Sequence, residues 1–243
     1  MTEPLCACWR RSISRISRWG AESGNLKRRE YEIVAVDRGS KDGTLEWLKE
    51  QPDVVVLKKR QWGRRHDHGE AAELGVKKAR HEAIALLDSD AHPMEADWLD
   101  RTVDKLDGRR RLAGAKFTDK HEGNPHGWYI HPHFMTFLKS DLGELIILRK
   151  VRGHATDTGE EATIRVLAAG LEIIACPLDF CAKFAVGHPR VPTVSGGVFH
   201  AWYVTRLFKE TATVDRETGG AVTRENYMHP LQELLRKTYR LNY

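Results

Sequence analysis

Three aspartates stand where apolar runs stop. Tyr31-Glu-Ile-Val-Ala-Val-Asp37 ends on the first, and Ala83-Ile-Ala-Leu-Leu-Asp88-Ser-Asp90 ends on the other two. Runs of this length and composition predict buried strands. In an open parallel sheet, ligands sit in the crevice beyond the carboxyl ends of the strands. Carboxylates there suit two tasks: accepting hydrogen bonds from a nucleoside, and holding a hard divalent cation against phosphates. Asp88 and Asp90 are two apart, which on a regular strand puts both carboxylates on one face. At the strand's end they divide the work, Asp88 toward a ribose or a metal-bound water and Asp90 on the cation. Each signal has a plainer reading. Asp37 would otherwise cap the turn through Asp42-Gly43-Thr44, and the acid pair a helix after Pro93, but the context favours the ligand roles.

Other groups of reactive type surround these three. Arg64, Arg65, His66 and His68 precede a helix rich in glycine and alanine. A cationic loop at a helix N-terminus suits a diphosphate, although a solvated basic loop explains the same residues. Asp157-Thr-Gly-Glu160-Glu161 opens a second helix, where acids also complement the macrodipole. Twelve histidines invite metal readings. His131 and His133 flank Pro132, and His121 and His126 lie in a loop, without a recognisable ligand spacing. His200 follows a flexible approach, Gly196-Gly197-Val-Phe, but a lone histidine beside apolar residues is commonly structural.

The elements that must position these residues follow from periodicity. Residues 4–9 read as a short strand, followed by an amphipathic helix with Ile13, Ile16 and Trp19. After Asp37, Gly39 permits a tight turn into a helix over Thr44–Glu50, which Pro52 ends. Val54–Leu57 is the next buried strand, then come a helix over Gly69–Arg80 and the strand Ala83–Leu87. A helix is expected over Glu95–Leu106, with Trp98, Leu99, Val103 and Leu106 inward. Further on, strands are expected at Leu112–Phe117 and His133–Leu138, separated by a loop from Thr118 to His131. A helix over Thr158–Ala169 and a strand over Glu172–Pro177 follow. Gly196–Tyr203 is a strand or a glycine-hinged loop that closes over a pocket. Leu231–Leu241 is a basic amphipathic helix. Alternating strands and helices predict an α/β, Rossmann-like fold with a mostly parallel sheet flanked by helices.

At 243 residues the chain is expected to form one domain. Its first half, 1–117, would bind the ligand named by the acids, and 118–243 would complete the site and end in the terminal helix. No apolar run has the length of a membrane span, and no apolar region follows the arginines at 10, 11, 15 and 18, so a cytoplasmic protein is expected, with peripheral membrane contact left open. The net charge of +5 is scattered over short runs, without a basic helix bearing interleaved aromatics, which argues against nucleic acid and fits an anionic small molecule. Cys6, Cys8, Cys176 and Cys181 lack zinc-finger spacing and read as small packed residues.

Three segments in this order resemble glycosyltransferase family 2, of the GT-A fold. They are Val36-Asp37-Arg-Gly-Ser-Lys-Asp-Gly-Thr44, the stretch from His68-Gly69 to Ala79-Arg80, and Leu86-Leu87-Asp88-Ser-Asp90, which is similar to the family's DXD motif. Together they span residues 31 to 100. The resemblance implies an enzyme that moves a hexose from a nucleotide-diphosphate sugar donor to an acceptor it does not name, with inversion at the anomeric carbon and with Mg2+ or Mn2+. It implies nucleotide contacts from Asp37, Gly39, Arg64, His68, Asp88 and Asp90. It implies metal ligation by Asp90 and Asp88, joined by His200 as a late histidine. The general base would come from the acidic segment, with Glu160 first, Asp157 second and Glu161 third. Arg38 stands where the family often has a second acid or Asn, and Cys6-Ala-Cys-Trp9 replaces its longer opening strand. Two other classes compete: a sugar-nucleotide nucleotidyltransferase, whose glycine-rich basic signature is missing from Cys6–Arg18, and a non-catalytic nucleotide-binding protein.

Overall fold

A computed structural model describes residues 31–41, 43–59, 68–95, 97–118, 124–151, 157–180 and 193–200, together with the short strand pair Thr213–Val214 and Ala221–Val222. The expected first strand and helix, the basic loop with Arg64, and the helix over Leu231–Leu241 lie outside the described residues. The expected parallel start is present. Strand β1 (Ile33–Asp37) pairs in parallel with β2 (Val54–Lys58), and α1 (Thr44–Lys49) connects them. Leu48 of α1 packs with Ala35 of β1, which is why the chain turns back on itself here.

Helix α2 (His68–Lys78) carries few large apolar side chains, and its packing rests on close approach. A Cβ at Gly69 would stand 1.7 Å from the carbonyl oxygen of Leu148, so only glycine lets this turn meet the 148–149 backbone. One turn later the buried Glu73 accepts the backbone N–H groups of Leu148 and Arg149, each at 3.2 Å, and pairs with the Arg149 guanidinium at 2.6 Å. The opposite side of α2 packs on β1, with Gly75 against Val36.

The central sheet has the order β3 (Ala83–Leu87), β6 (Tyr129–Leu138), β5 (Arg110–Phe117), β7 (Glu172–Cys176). Here the pairing is mixed rather than mostly parallel: β3–β6 and β5–β6 are antiparallel, and β5–β7 is parallel. The connection from β5 to β6 is shorter than the crossover a parallel pair needs, so β6 returns antiparallel. This strand begins at Tyr129, inside the stretch expected to be loop, and is long enough to serve both neighbours. Helix α3 (Glu160–Ala168) covers β6; Thr163 Oγ1 accepts the Ile130 N–H at 3.0 Å and donates to the Gly159 carbonyl at 3.1 Å. Leu112, Ile130, Met135, Phe137, Leu148 and Val166 form the main core.

A second sheet, β4 (Ala91–Pro93), β10 (Val198–His200), β9 (Thr193–Ser195), β8 (Asp179–Phe180), is antiparallel throughout. Its β9–β10 hairpin turns on Gly196 and Gly197, at φ +54 and +83, and left-handed conformations at both central residues are what a tight two-residue hairpin demands. The two glycines therefore make the turn of a hairpin, and Val198–His200 take the strand of the two expected forms. Val198, Phe199 and His200 are buried in an interior strand, while Ala201–Tyr203 lie outside the described residues.

The helix expected over Glu95–Leu106 does not form among the described residues. Turns cover 97–102 and a single 3-10 turn covers Val103–Lys105. The apolar spacing there serves another end. Trp98 drops into the core beside Phe134, with ring centroids 5.7 Å apart, and the Met94 N–H is held by the Gly197 carbonyl at 2.7 Å. Arg101 pairs with Glu95 and Asp97, drawing the segment into a compact knot.

Candidate metal centre

Where β3 ends, Asp88 begins a turn closed by the Ala91 N–H donating to the Asp88 carbonyl at 3.0 Å, and Ala91 opens β4. The chain thus passes from one sheet to the other within three residues, with Asp88 and Asp90 at the passage. Antiparallel pairing of β4 with β10 sets Ala91 opposite His200. That register brings the imidazole Nε2 within 3.2 Å of Asp90 Oδ1, across 110 positions of sequence. On the other side, His68 at the start of α2 has its Nε2 3.4 Å from Asp88 Oδ1. One donor atom each from Asp88, Asp90 and His200 falls within 4.8 Å of the others.

The electrostatics of this group are those of a site short of positive charge. Burial pushes the Asp88 carboxyl up, and the neighbouring charge of Asp90 adds to that, with His68 opposing. Burial also acts against the Asp90 carboxylate, but the adjacent His200 and its hydrogen bond outweigh it and hold Asp90 below the ordinary range. Two carboxylates and one imidazole form a donor set suited to Mn2+ or Mg2+, with oxygen for the hard ion and nitrogen tolerated by manganese. The residues fit the cation implied by the sequence.

Behind His200 lie two histidines whose role the sequence did not reveal. His133 is fully buried, its ring 9° from parallel with that of His200 at a centroid distance of 4.2 Å. His131 Nδ1 lies 2.8 Å from His133 Nδ1, and the rings are 4.9 Å apart. Burial, with His200 and His131 adding to it, holds the His133 pKa well below the usual histidine value. The signal was present as alternation: Tyr129, His131 and His133 are two apart and share one face of a strand, which an assignment of 118–131 as loop conceals.

The acidic segment before α3 is close enough for the Asp157 charge to add to the upward push on Asp88. Its three acids differ. Glu160 is fully buried; one oxygen accepts the Asp157 N–H at 2.8 Å, and the other has no hydrogen-bond partner among the described residues. Glu161 is buried and receives the Arg165 Nε–H at 2.7 Å. Asp157 is exposed, and the Tyr129 hydroxyl donates to its Oδ2 at 3.4 Å. Asp37 stands apart from the cluster in its bonding: its carboxylate accepts the N–H of Gly39 at 2.9 Å and of Ser40 at 3.2 Å. Arg64 lies outside the described residues. Among the described residues, no helix is long and apolar enough to cross a membrane.

The model of the family described as "Glycosyl transferase family 2" matches residues 10–165. Among solved structures, the chain is similar to the mannosyltransferase PcManGT from Pyrobaculum calidifontis, in complex with GDP-Man and Mn2+. That likeness has 17% identity and a TM-score of 0.47, over 70% of this chain and 51% of that one. It is also similar to a variant of Drosophila β1,4-galactosyltransferase 7 in complex with manganese, UDP-Gal and xylobiose. There the identity is 15% and the TM-score 0.36, over 59% of this chain and 63% of that one. The chain therefore spans between half and two thirds of the length of these structures. No curated protein matches it.

Proposed function

Since this chain belongs to glycosyl transferase family 2 and has its GT-A type of α/β fold, we propose that it transfers a hexose from a nucleoside-diphosphate donor to an acceptor hydroxyl. The observation that carries the reading is the convergence of Asp88, Asp90 and His200, from two sheets, on one point beyond the end of β3. These three residues would hold Mg2+ or Mn2+. When bound, the cation supplies positive charge to the diphosphate of the donor and stabilises it as a leaving group.

The remaining roles belong to the chain's own groups. Asp37 and Gly39, at the end of β1, would receive the nucleoside. The carboxylate has lone pairs beyond those that its own turn occupies. His68, beside Asp88 at the N-terminus of α2, would face the diphosphate, where helix polarity also favours an anion. Of the three acids before α3, Asp157 suits the general base, because it is exposed to an incoming acceptor while Glu160 and Glu161 are buried. In the step itself, the acceptor hydroxyl gives its proton to the Asp157 carboxylate and its oxygen bonds to the anomeric carbon. The bond from that carbon to the diphosphate oxygen breaks on the opposite face, the electron pair leaves with the diphosphate, and the configuration inverts. Glu160 holds the Asp157 backbone through its N–H, so the buried acid serves the exposed one.

The test uses UDP, GDP, dTDP and CDP, each with and without Mn2+. A ligand that binds only the folded state raises thermal stability. At least one nucleotide should raise the melting temperature, and only with the metal present. The sugar nucleotide of that base should then release nucleoside diphosphate slowly without acceptor. Failure of all four to shift the transition with Mn2+ would reject the transferase reading. A metal-dependent shift without any donor turnover would point to the non-catalytic binder.

A further inference from the structure

The cation group explains Asp88, Asp90 and His200 but leaves His133 and His131 unused. Their positions follow from the two sheets. The β3–β6 ladder ends at Leu87 opposite Phe134, so His133 is the next residue along β6, beside the point where β3 gives way to Asp88. His200 arrives from the second sheet, held by its register with Ala91. The two imidazoles meet face to face at 4.2 Å, at the seam between the sheets. His131 fixes the lower ring. Its Nδ1 accepts the backbone N–H of His133 at 3.2 Å, so this nitrogen carries a lone pair. The His133 Nδ1, 2.8 Å away, must then carry the proton and donate it. Rotating the His133 ring would break that bond.

We propose that His133 is a positioning residue for the cation site: its ring, locked by His131, fixes the plane of His200 so that Nε2 faces Asp90 and Asp88. The proposal rests on the reading that Asp88, Asp90 and His200 hold a divalent cation. An imidazole left free to turn about two side-chain torsions loses that freedom on ligation, whereas one already clamped does not. Groups that orient a metal ligand typically change metal affinity by about 10- to 100-fold when replaced.

The experiment is a double-mutant cycle on Mn2+ affinity, with Mn2+ alone as the probe and the free ion read by its electron paramagnetic resonance signal. His133→Leu keeps the volume but removes the flat face, and it should weaken Mn2+ binding by about tenfold. In a His200→Ala background the same change should alter affinity by less than about twofold, because His133 acts only through His200. His133→Phe restores a flat ring without the Nδ1–H that His131 accepts, so it should recover part of the loss and not all of it. If His133→Leu does not fold, His131→Leu replaces it; it removes the lock from a partly exposed position and should give a smaller loss, again only with His200 present. Unchanged affinity in these variants, or equal losses in both backgrounds, overturns the positioning role while leaving the cation site standing. A wild-type protein that takes up no Mn2+ refutes the cation site and the positioning role with it.

Discussion

Asp37 and Asp90 are the same residue type, each near the end of an early strand and each almost buried, at 6% and 8% exposure. Their carboxylates are nonetheless met by different parts of the chain. Asp37 accepts from Gly39 and Ser40, two and three residues on, so its own turn satisfies it. Asp90 is met by His200, from another sheet, and has Asp88 beside it. A carboxylate answered locally shapes a turn, and nucleotide contact there uses only its spare lone pairs. A carboxylate answered from a distance, with a second one near it, concentrates negative charge that a cation can neutralise. Before α3 the contrast is one of exposure: Glu160 and Glu161 are buried and engaged by groups three and four residues away, while the exposed Asp157 accepts the Thr158 N–H at 2.8 Å and, across 28 positions, the Tyr129 hydroxyl at 3.4 Å.

Replacing each aspartate by its amide should separate the two most strongly. Asp90→Asn should take Mn2+ binding below detection in calorimetry while the circular-dichroism spectrum stays native. Asp37→Asn should bind Mn2+ as the wild type does, since an amide oxygen accepts the same two N–H groups. Equal Mn2+ loss in both variants would erase the distinction.

Next in size is the pair in the acidic segment. Asp157→Asn should retain donor affinity and lose about 10²- to 10⁴-fold in transfer, the usual yield of a general base. Glu160→Gln should lose far less, because its amide oxygen still accepts the Asp157 N–H. Reversal of that order in single-turnover assays would return the base to Glu160.

Stability supplies two smaller effects. Gly69→Ala forces a methyl group into the Leu148 carbonyl and should cost about 1 to 3 kcal/mol in urea unfolding. Asp37→Ala removes the acceptor for two turn N–H groups and should cost about 1 kcal/mol. A variant at Gly69 as stable as the wild type would mean that α2 does not need its close seat on residues 148–149. The smallest expected effect is none: amide exchange at Val198–His200 should be slow and equal with and without nucleotide, as for any interior strand. Faster exchange in the free protein would restore a closing segment there.

How much was legible beforehand depends on how far apart the partners are. The β1–α1–β2 unit, α2, β3, β5, α3 and β7 were each readable near their observed bounds, because periodicity and turn residues act over a few positions. The segment 95–106 departs from its helical spacing for the same reason: Trp98 and Leu99 are placed by core packing, and the segment is anchored to Gly197 through Met94. Of the two forms open to Gly196–Tyr203, Val198–His200 take the strand, since glycine's freedom serves a tight turn as readily as a moving loop. His131 and His133 went unassigned because β6 was expected to start four residues late.

The amino-acid sequence alone determined the family, the three aspartates at strand ends, the glycine-dependent helix and His200 as a candidate ligand. These are set by residue type and short-range order, which folding does not alter. Tertiary structure decided which acid meets which partner: that Asp37 closes its own turn, that Glu160 is buried and Asp157 exposed, and that His133 lies flat against His200. Those outcomes depend on strand register between segments as much as 110 residues apart, and register is settled only when the two sheets pack and bury their facing side chains.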